Sequence, residues 1–434
     1  MCTVGSTPTL PHRQRHSKAV LSDRFGRMQP VQRINGRVNG RMNGRINSEQ
    51  RRAQLARRQR LVGTQPGDVE ELTRDLVCLH ATDPATVYLS ARARIPGFTI
   101  SDLDRALYRD RTLIKQLAMR RTLFVIDRDH LADVQPAAGE RVAGSESRKM
   151  IKMIEEAGVA SDGARWLRRA RKAVLDALAG GREATSTELR DELPILQGMV
   201  RYGSGKWSAD LPIAPRVLTI LSAEGQVVRS TNRGPWYTSR PRWTTMDSWL
   251  GRGWEPTDPF VAHRRMVRRW LHAFGPGTAA DIKWWLGSTV AAVKRSLGEL
   301  DVVEVDLDGA SGYLLEDDLA DLLDSPPVDP WIALLPALDP TPMGWTDRSW
   351  YLGDHKGLVY DSNGNAGPTI WYAGRIVGGW WQDPDGVVIT HLLEDVGHDA
   401  EAMVNAEAER LTAWLDGKVV MPRFPSPLAK AVAG

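Results

Sequence analysis

The chain has 434 residues, 42% of them hydrophobic and 25% charged, with a formal net charge of +4; that exceeds one ordinary core, so two to four modules are expected. Its two cysteines, Cys2 and Cys78, allow no disulfide framework and no Cys-based zinc site, which fits a reducing cytoplasm. No apolar run approaches the roughly 18 residues of a membrane helix, and the opening segment lacks an apolar stretch with a cleavage-like site, so neither a membrane span nor a secretory signal is expected.

The charge is unevenly spread. The first 60 residues hold 14 basic and two acidic side chains, which leaves the remainder at −8. Attraction of the folded body to a polyanion must therefore come from local patches. Residues 1–47 read as a basic disordered tail. Within it, "RINGRVNGRMNGRIN" (33–47) repeats Arg, apolar, Asn, Gly, and Asn-Gly at every fourth position disfavours a helix. Such a tail is either a phosphate-binding arm or a dispensable extension.

Order is expected from Ser48, where "SEQRRAQLARRQRL" places Leu55 and Leu61 on one helix face. From there one theme recurs about three times, short helices followed by a strand pair. The first unit, 48–140, contains "LHATDPATVYLS" (79–90), a helix capped by Thr99 or Ser101 with Leu103 and Leu107 inward, and the strand "RTLFVI". The second, 141–255, has a helix capped by Thr185 or Ser186 with Glu188 in its first turn, a helix ending at Gly225, and an alternating hairpin "QVVRSTNRGPWYTSRPRW". Helix, turn, helix and hairpin in that order outline a winged helix. The third, 256–325, repeats the order, with Val290, Val293, Leu297 and Leu300 at helical spacing and the hairpin "VVEVDLDGASGYLL". From 326 to 434 the pattern changes to strands and turns: "WIALLPALDP", "SWYLGDHKGLVY", "TIWYAGRIVGGWW" and "GVVITHLL", closed by a helix from about Asp399 to Leu415. The fold class expected is α+β: tandem winged-helix modules followed by a small antiparallel, barrel-like β-rich domain.

A wing of this kind can lie against the phosphates of a nucleic acid. The second hairpin offers Arg229, Arg233, Arg240 and Arg242 interleaved with Trp236, Tyr237 and Trp243, which combines phosphate donors with stacking faces. The third hairpin is acidic and suits a structural role. Arg120 and Arg121, where a helix gives way to a strand, are a second basic candidate. Arg264, Arg265, Arg268 and Arg269 fall on one helix and can equally be a solvated face.

Several chemistries are missing. "GSGK" (203–206) lacks P-loop spacing, no G-x-G-x-x-G follows a strand, and neither H-E-x-x-H nor the H-x-E with P-C-x-x-C of zinc deaminases occurs. The nine histidines form no ligand cluster, so no metal and no cofactor are expected. What remains is the polar group His80, Thr82 and Asp83 at the end of an apolar run. An imidazole and a hydroxyl two residues apart can hold one water between them, or His80 can take its proton. Equally, His80 can donate to a carbonyl while Thr82 or Asp83 caps the helix that starts at Pro84.

The segment "LHATDPATVYLSARARIPGF" resembles the L-Q-A-Q-D-P…L-W-A-R…G-F stretch of the AlkZ/YcaQ-like family of winged-helix DNA glycosylases. "LDRALYRDRTLIKQLAMRRTLFVI" is similar to the helix and strand that follow it. "RRWLHAFGPGTAADIKWWLG" resembles the family's G-P-x-T-x-x-D-x-x-x-W signature through Gly275, Pro276, Thr278, Asp281 and Trp285. "LLPALDPTPMGWTDRSWYL" resembles its L-P-x-x-D-P…D-R block through Pro336, Asp339, Pro340, Asp347 and Arg348. The resemblance implies winged helices around duplex DNA and monofunctional release of alkylated bases or unhooking of crosslinks. It also implies a Gln-x-Gln or Gln-x-Asp pair that positions water, whose places here are held by His80 and Thr82. Asp83, beside them, can steady positive charge on the sugar or cap a helix. The enzymatic reading needs the His80 ring to look into a cleft wide enough for a nucleotide. Otherwise the scaffold is a silent DNA-binding regulator or lesion sensor, or one turned to a small ligand or RNA. A cytoplasmic, nucleoid-associated monomer is expected.

Overall fold

The computed structural model describes residues 44–203, 208–251, 253–324 and 327–432, so the expectations for residues 1–43 lie outside the described residues. Its first helix, Ser48–Arg58, opens on a capping box: the Asn47 side chain accepts from the Gln50 N–H, and Gln50 returns a bond to the Asn47 N–H. Leu55 is buried on this helix as expected, whereas Leu61, expected on the same face, lies beyond the helix end at Arg58 and is half-buried. Strand β1 (Leu79–His80), β2 (Leu113–Leu117) and β3 (Leu123–Asp127) form an antiparallel sheet in the order β1-β3-β2. The helix Pro84–Arg92 follows β1, and Thr99 with Asp102 makes the capping box of Ile100–Asp104.

In the second unit, Thr185 and Glu188 form the capping box of Ser186–Glu192. A hairpin that the residue pattern did not suggest follows, β4 (Met199–Tyr202) with β5 (Ala209–Pro212). The helix Ile213–Ala223 then leads into β6 (Val227–Asn232) and β7 (Pro241–Thr245). Met150, Ile154, Trp166, Leu167, Val217 and Leu221 belong to a core of this unit. The third unit runs through helices Pro259–Phe274, Ala279–Leu286 and Val290–Leu297 into β8 (Val302–Leu307) and β9 (Ala310–Leu315). Val293 and Leu297 are buried as expected, whereas Val290 is exposed at the first turn of its helix.

The last sheet is β10 (Ile332–Leu335), β11 (Thr369–Tyr372), β12 (Arg375–Gln382) and β13 (Val388–Leu392), antiparallel in that order. It is open, not the barrel expected. Instead of its edges pairing, the helix His398–Leu415 lies on one face and buries Val404 and Leu411 against Leu334, Ile370, Val377 and Val388. "SWYLGDHKGLVY" also departs from expectation. It forms two helical turns, Ser349–Leu352 and Lys356–Val359, which bury Trp350, Tyr351 and Val359. No helix among the described residues is long and apolar enough to cross a membrane.

One core continues from Leu55 through Phe124, Trp270, Phe274 and Trp285 to Trp345 and Trp371, joining the first unit, the third and the last sheet. At its heart is a fully buried ion pair. The Arg94 guanidinium donates from Nη1 and Nη2 to Asp339 at 2.9 and 2.7 Å, and further to the Ser90 carbonyl, the Gln59 carbonyl and Thr341 Oγ1. Asp339 also accepts from Ser90 Oγ and the Thr341 N–H. A buried charge pair is tolerable only when its remaining donors and acceptors are matched, and here they are.

Candidate functional site

His80 pairs with Phe124 across β1 and β3. Alternation along a strand sends Leu79 to one face of the sheet and His80 to the other, and both faces are covered: Leu79 is 0% and His80 6% exposed. The imidazole lies edge-on to Phe124 with centroids 5.3 Å apart, and its Nδ1 accepts from the Thr82 N–H at 3.4 Å. That acceptor role puts the ring proton on Nε2. Burial, and then the Arg120 guanidinium, push the pKa of His80 down to about 3, so the ring is neutral at physiological pH and too weakly basic to capture a proton. The expectation that His80 faces an open, nucleotide-wide cleft is not met: strand pairing turns it inward.

Thr82 is half-buried. Asp83 is the N-cap of Pro84–Arg92: its Oδ1 accepts from the Ala85 N–H at 3.2 Å and its Oδ2 from the Arg423 N–H at 2.8 Å. Burial raises its pKa against those two bonds. The carboxylate is therefore committed on both oxygens, to a cap and to a tether. The tethered segment carries Met421, 75% exposed, and the exposed Arg423 beside the motif.

On the Arg120 side of the motif lies a hollow of about 570 Å³ whose walls include Arg120, Arg121, Arg141, Arg148 and Lys149, with Glu140 and Glu146 as its acids. The β2–β3 connection builds one wall by holding Arg120 and Arg121 in the left-handed region, at φ 52° and 61°, a conformation that costs non-glycine residues energy. Arg120 stacks on Trp284 at 3.9 Å, and burial, together with Arg348, brings its pKa down to about 10. Arg121 pairs with Glu146 at 2.9 Å, and Arg141 donates to the Leu286 carbonyl at 3.0 Å. A concave surface lined mainly by one sign of charge concentrates its field on an incoming polyanion. Arg141, Arg148 and Lys149 were missed in the sequence, although their spacing on helix Glu140–Glu156 is the signal that puts them on one face.

The second hairpin does not present the aromatics expected of it. Trp243 is buried, and Trp236 packs 5.1 Å from Tyr88 and 5.7 Å from Trp414, so these rings are packing. Arg229 lies over Trp243, its pKa brought down to about 10 by burial and by Arg423. Arg242 is bonded to the Glu183 carbonyl. Arg233 and Arg240 are exposed, the former 3.4 Å from Glu188. On the third-unit helix, Arg265 and Arg269 are drawn to Asp133 and Arg264 to Glu299.

The motif residues further along the chain tie the fold together. Asp281 completes the capping box that Thr278 opens on Ala279–Leu286, and accepts from the Thr346 and Asp347 N–H groups. Trp285 packs on Phe274 and Phe124, and Arg348 donates to the Trp345 carbonyl while stacking on Tyr360 at 4.0 Å. Asp339 belongs to the buried pair with Arg94.

The polar motif and the arginine-lined hollow sit on a mixed α/β scaffold of small antiparallel sheets. The family model of AlkZ-like DNA glycosylases matches residues 73–414, and the chain belongs to that family. Its fold is similar to that of Streptomyces sahachiroi DNA glycosylase AlkZ, with a TM-score of 0.69 over 88% of this chain and 99% of that one, at 21% identity. Among curated proteins no sequence matches it.

Proposed function

We propose that the protein is a monofunctional glycosylase that releases alkylated bases, or unhooks alkyl crosslinks, from duplex DNA, acting as a cytoplasmic, nucleoid-associated monomer. The observation that carries this reading is the family match over 73–414. The basic hollow, one of whose walls is the Arg120 that His80 feels through its charge, supports it. The tandem winged-helix reading is supported by the two units in which short helices lead into a two-stranded hairpin, β6–β7 and β8–β9. The separate core around Trp166 and Val217 favours a module at 141–255. Arg121, Arg141, Arg148 and Lys149 then hold phosphates, with Arg233 and Arg240 as outlying contacts.

The chemistry asks little of the protein. In a 7-alkylguanine the base is already cationic. The C1′–N bond breaks with its electron pair going to the ring, which becomes neutral, while a water oxygen bonds to C1′ and sheds a proton to solvent. The Thr82 hydroxyl can both donate to and accept from that water. The inward-turned, neutral imidazole does not reach that water; it holds the Thr82 backbone through Nδ1 and so acts by placing the hydroxyl. Asp83, with both oxygens engaged, keeps the loop in place.

One observation favours a second reading, a member of the family that binds DNA without excision: the His80 ring is almost sealed. A duplex carrying one 7-alkylguanine, incubated with the protein and then treated with heat or alkali, separates the two. Abasic sites made by the wild type and lost in His80→Ala with Thr82→Ala support excision through this pair, and release that persists in the double variant removes the pair from the mechanism. Salt-sensitive binding without abasic sites establishes the second reading. No binding to modified or unmodified duplex defeats both.

A further inference from the structure

The basic tail ends inside the described structure, and there it is bound. Residues 44–47 run parallel to the outer edge of β8: the Ile46 N–H donates to the Asp306 carbonyl at 2.8 Å, and the Asp306 N–H to the Gly44 carbonyl at 2.9 Å. Each residue of this Gly-Arg-Ile-Asn unit has a separate task. Gly44 adopts φ 145°, which favours glycine. Arg45 reaches Asp308 at 3.2 Å. Ile46, 1% exposed, fills a small apolar cluster with Val303, Val305, Leu307, Leu314 and Leu322. Asn47 caps the following helix. Residues 44–47, expected to be part of a disordered tail, are thus ordered, joined to β8 by a parallel bridge at Arg45.

The same unit, glycine, arginine, a flexible or branched aliphatic residue, asparagine, stands twice more immediately upstream, at 40–43 with Met42 and at 36–39 with Val38. Recognition by strand addition reads the backbone through hydrogen bonds and the sequence through pockets for alternate side chains. The β8 edge supplies both, with Asp308 facing the arginine and the apolar cluster receiving the next residue. Copies on the same chain compete at an effective concentration on the order of millimolar.

We propose that the outer edge of β8 is a peptide-docking site for Gly-Arg-aliphatic-Asn, occupied here by residues 44–47 and equally able to take residues 40–43 or 36–39 of the same chain. A four-residue shift leaves residues 44–47 as a loop between the docked unit and the helix at Ser48. The basic arm can thereby be drawn in or let out in four-residue steps. The proposal is independent of base excision.

Amide hydrogen exchange on the full chain tests it. In Ile46→Asp the shifted unit covers the edge, so protection of the Asp306 amide falls less than about threefold. With Met42→Asp and Val38→Asp added it falls more than about thirtyfold, while β12 keeps its protection. A single variant as exposed as the triple one, or a triple variant still protected, overturns the proposal. The triple variant should also bind a labelled peptide of residues 36–43 saturably, and lose it with Asp308→Lys; no binding overturns the proposal from the other side. A rise in mass with concentration in Ile46→Asp shows the unit supplied by a second copy, which overturns docking within one chain.

Discussion

Removing the Asp339 carboxylate should be among the most damaging single changes in the protein. Arg94 and Asp339 side chains are both 0% exposed, so the guanidinium is left without a carboxylate in a core shielded from bulk solvent once its partner is gone. Asp339→Ala deletes four accepted bonds, from Ser90 Oγ, both Arg94 Nη atoms and the Thr341 N–H, and leaves a positive charge in a dry core. Breaking a buried pair from one side costs about 3–5 kcal/mol, a large share of the roughly 5–15 kcal/mol that holds a typical domain folded. Replacing both partners by apolar residues of similar size, Arg94→Met with Asp339→Leu, should recover most of that loss. Urea denaturation followed by tryptophan fluorescence reads the difference, because Trp345 and Trp371 share the same core. If Asp339→Ala lies within about 1 kcal/mol of wild type, the buried charge has found another partner and the argument fails.

Acid should weaken the fold well above the carboxylate range. Burial lowers His80 to about 3 and His130 and His263 to about 4. In the unfolded chain these groups protonate near 6.5, so below that pH the unfolded state binds more protons and stability falls, by up to about 1.4 kcal/mol per pH unit for each ring. Equal denaturation midpoints at pH 7 and pH 5 would falsify this. Arg141→Ala with Arg148→Ala should flatten the dependence of duplex affinity on salt by about two counterions, and an unchanged slope would take phosphate out of the hollow. Arg423→Ala should leave the Asp83 tether intact because that bond uses the backbone N–H, whereas Arg423→Pro removes the donor and should cost about 1–3 kcal/mol in thermal denaturation; similar losses in both would show that the side chain does the holding.

Local signals in the sequence translated well. The capping boxes at Thr99 and Thr185, the hairpins at β6–β7 and β8–β9, and the helix His398–Leu415 all follow from patterns a few residues long, whereas the short helix Pro427–Val432 beyond it was not expected. Long-range facts did not. Alternation says that His80 opposes Leu79 but not that another element covers each face. The Trp236 and Trp243 pattern suits an exposed stacking surface and a packed hairpin equally well, and only neighbours such as Trp414 decide. Arg94 and Asp339 are 245 residues apart, and no local pattern pairs them. Around Trp350 the apolar residues gave no strand because two short turns already bury them.

The bond between Asp83 and the backbone of Arg423 spans 340 positions of the chain. During synthesis the His80–Asp83 loop leaves the ribosome long before its latch exists. A nascent chain stalled between residues 149 and 422 therefore carries every arginine of the hollow while its centre is unfastened, and only a longer product can close it.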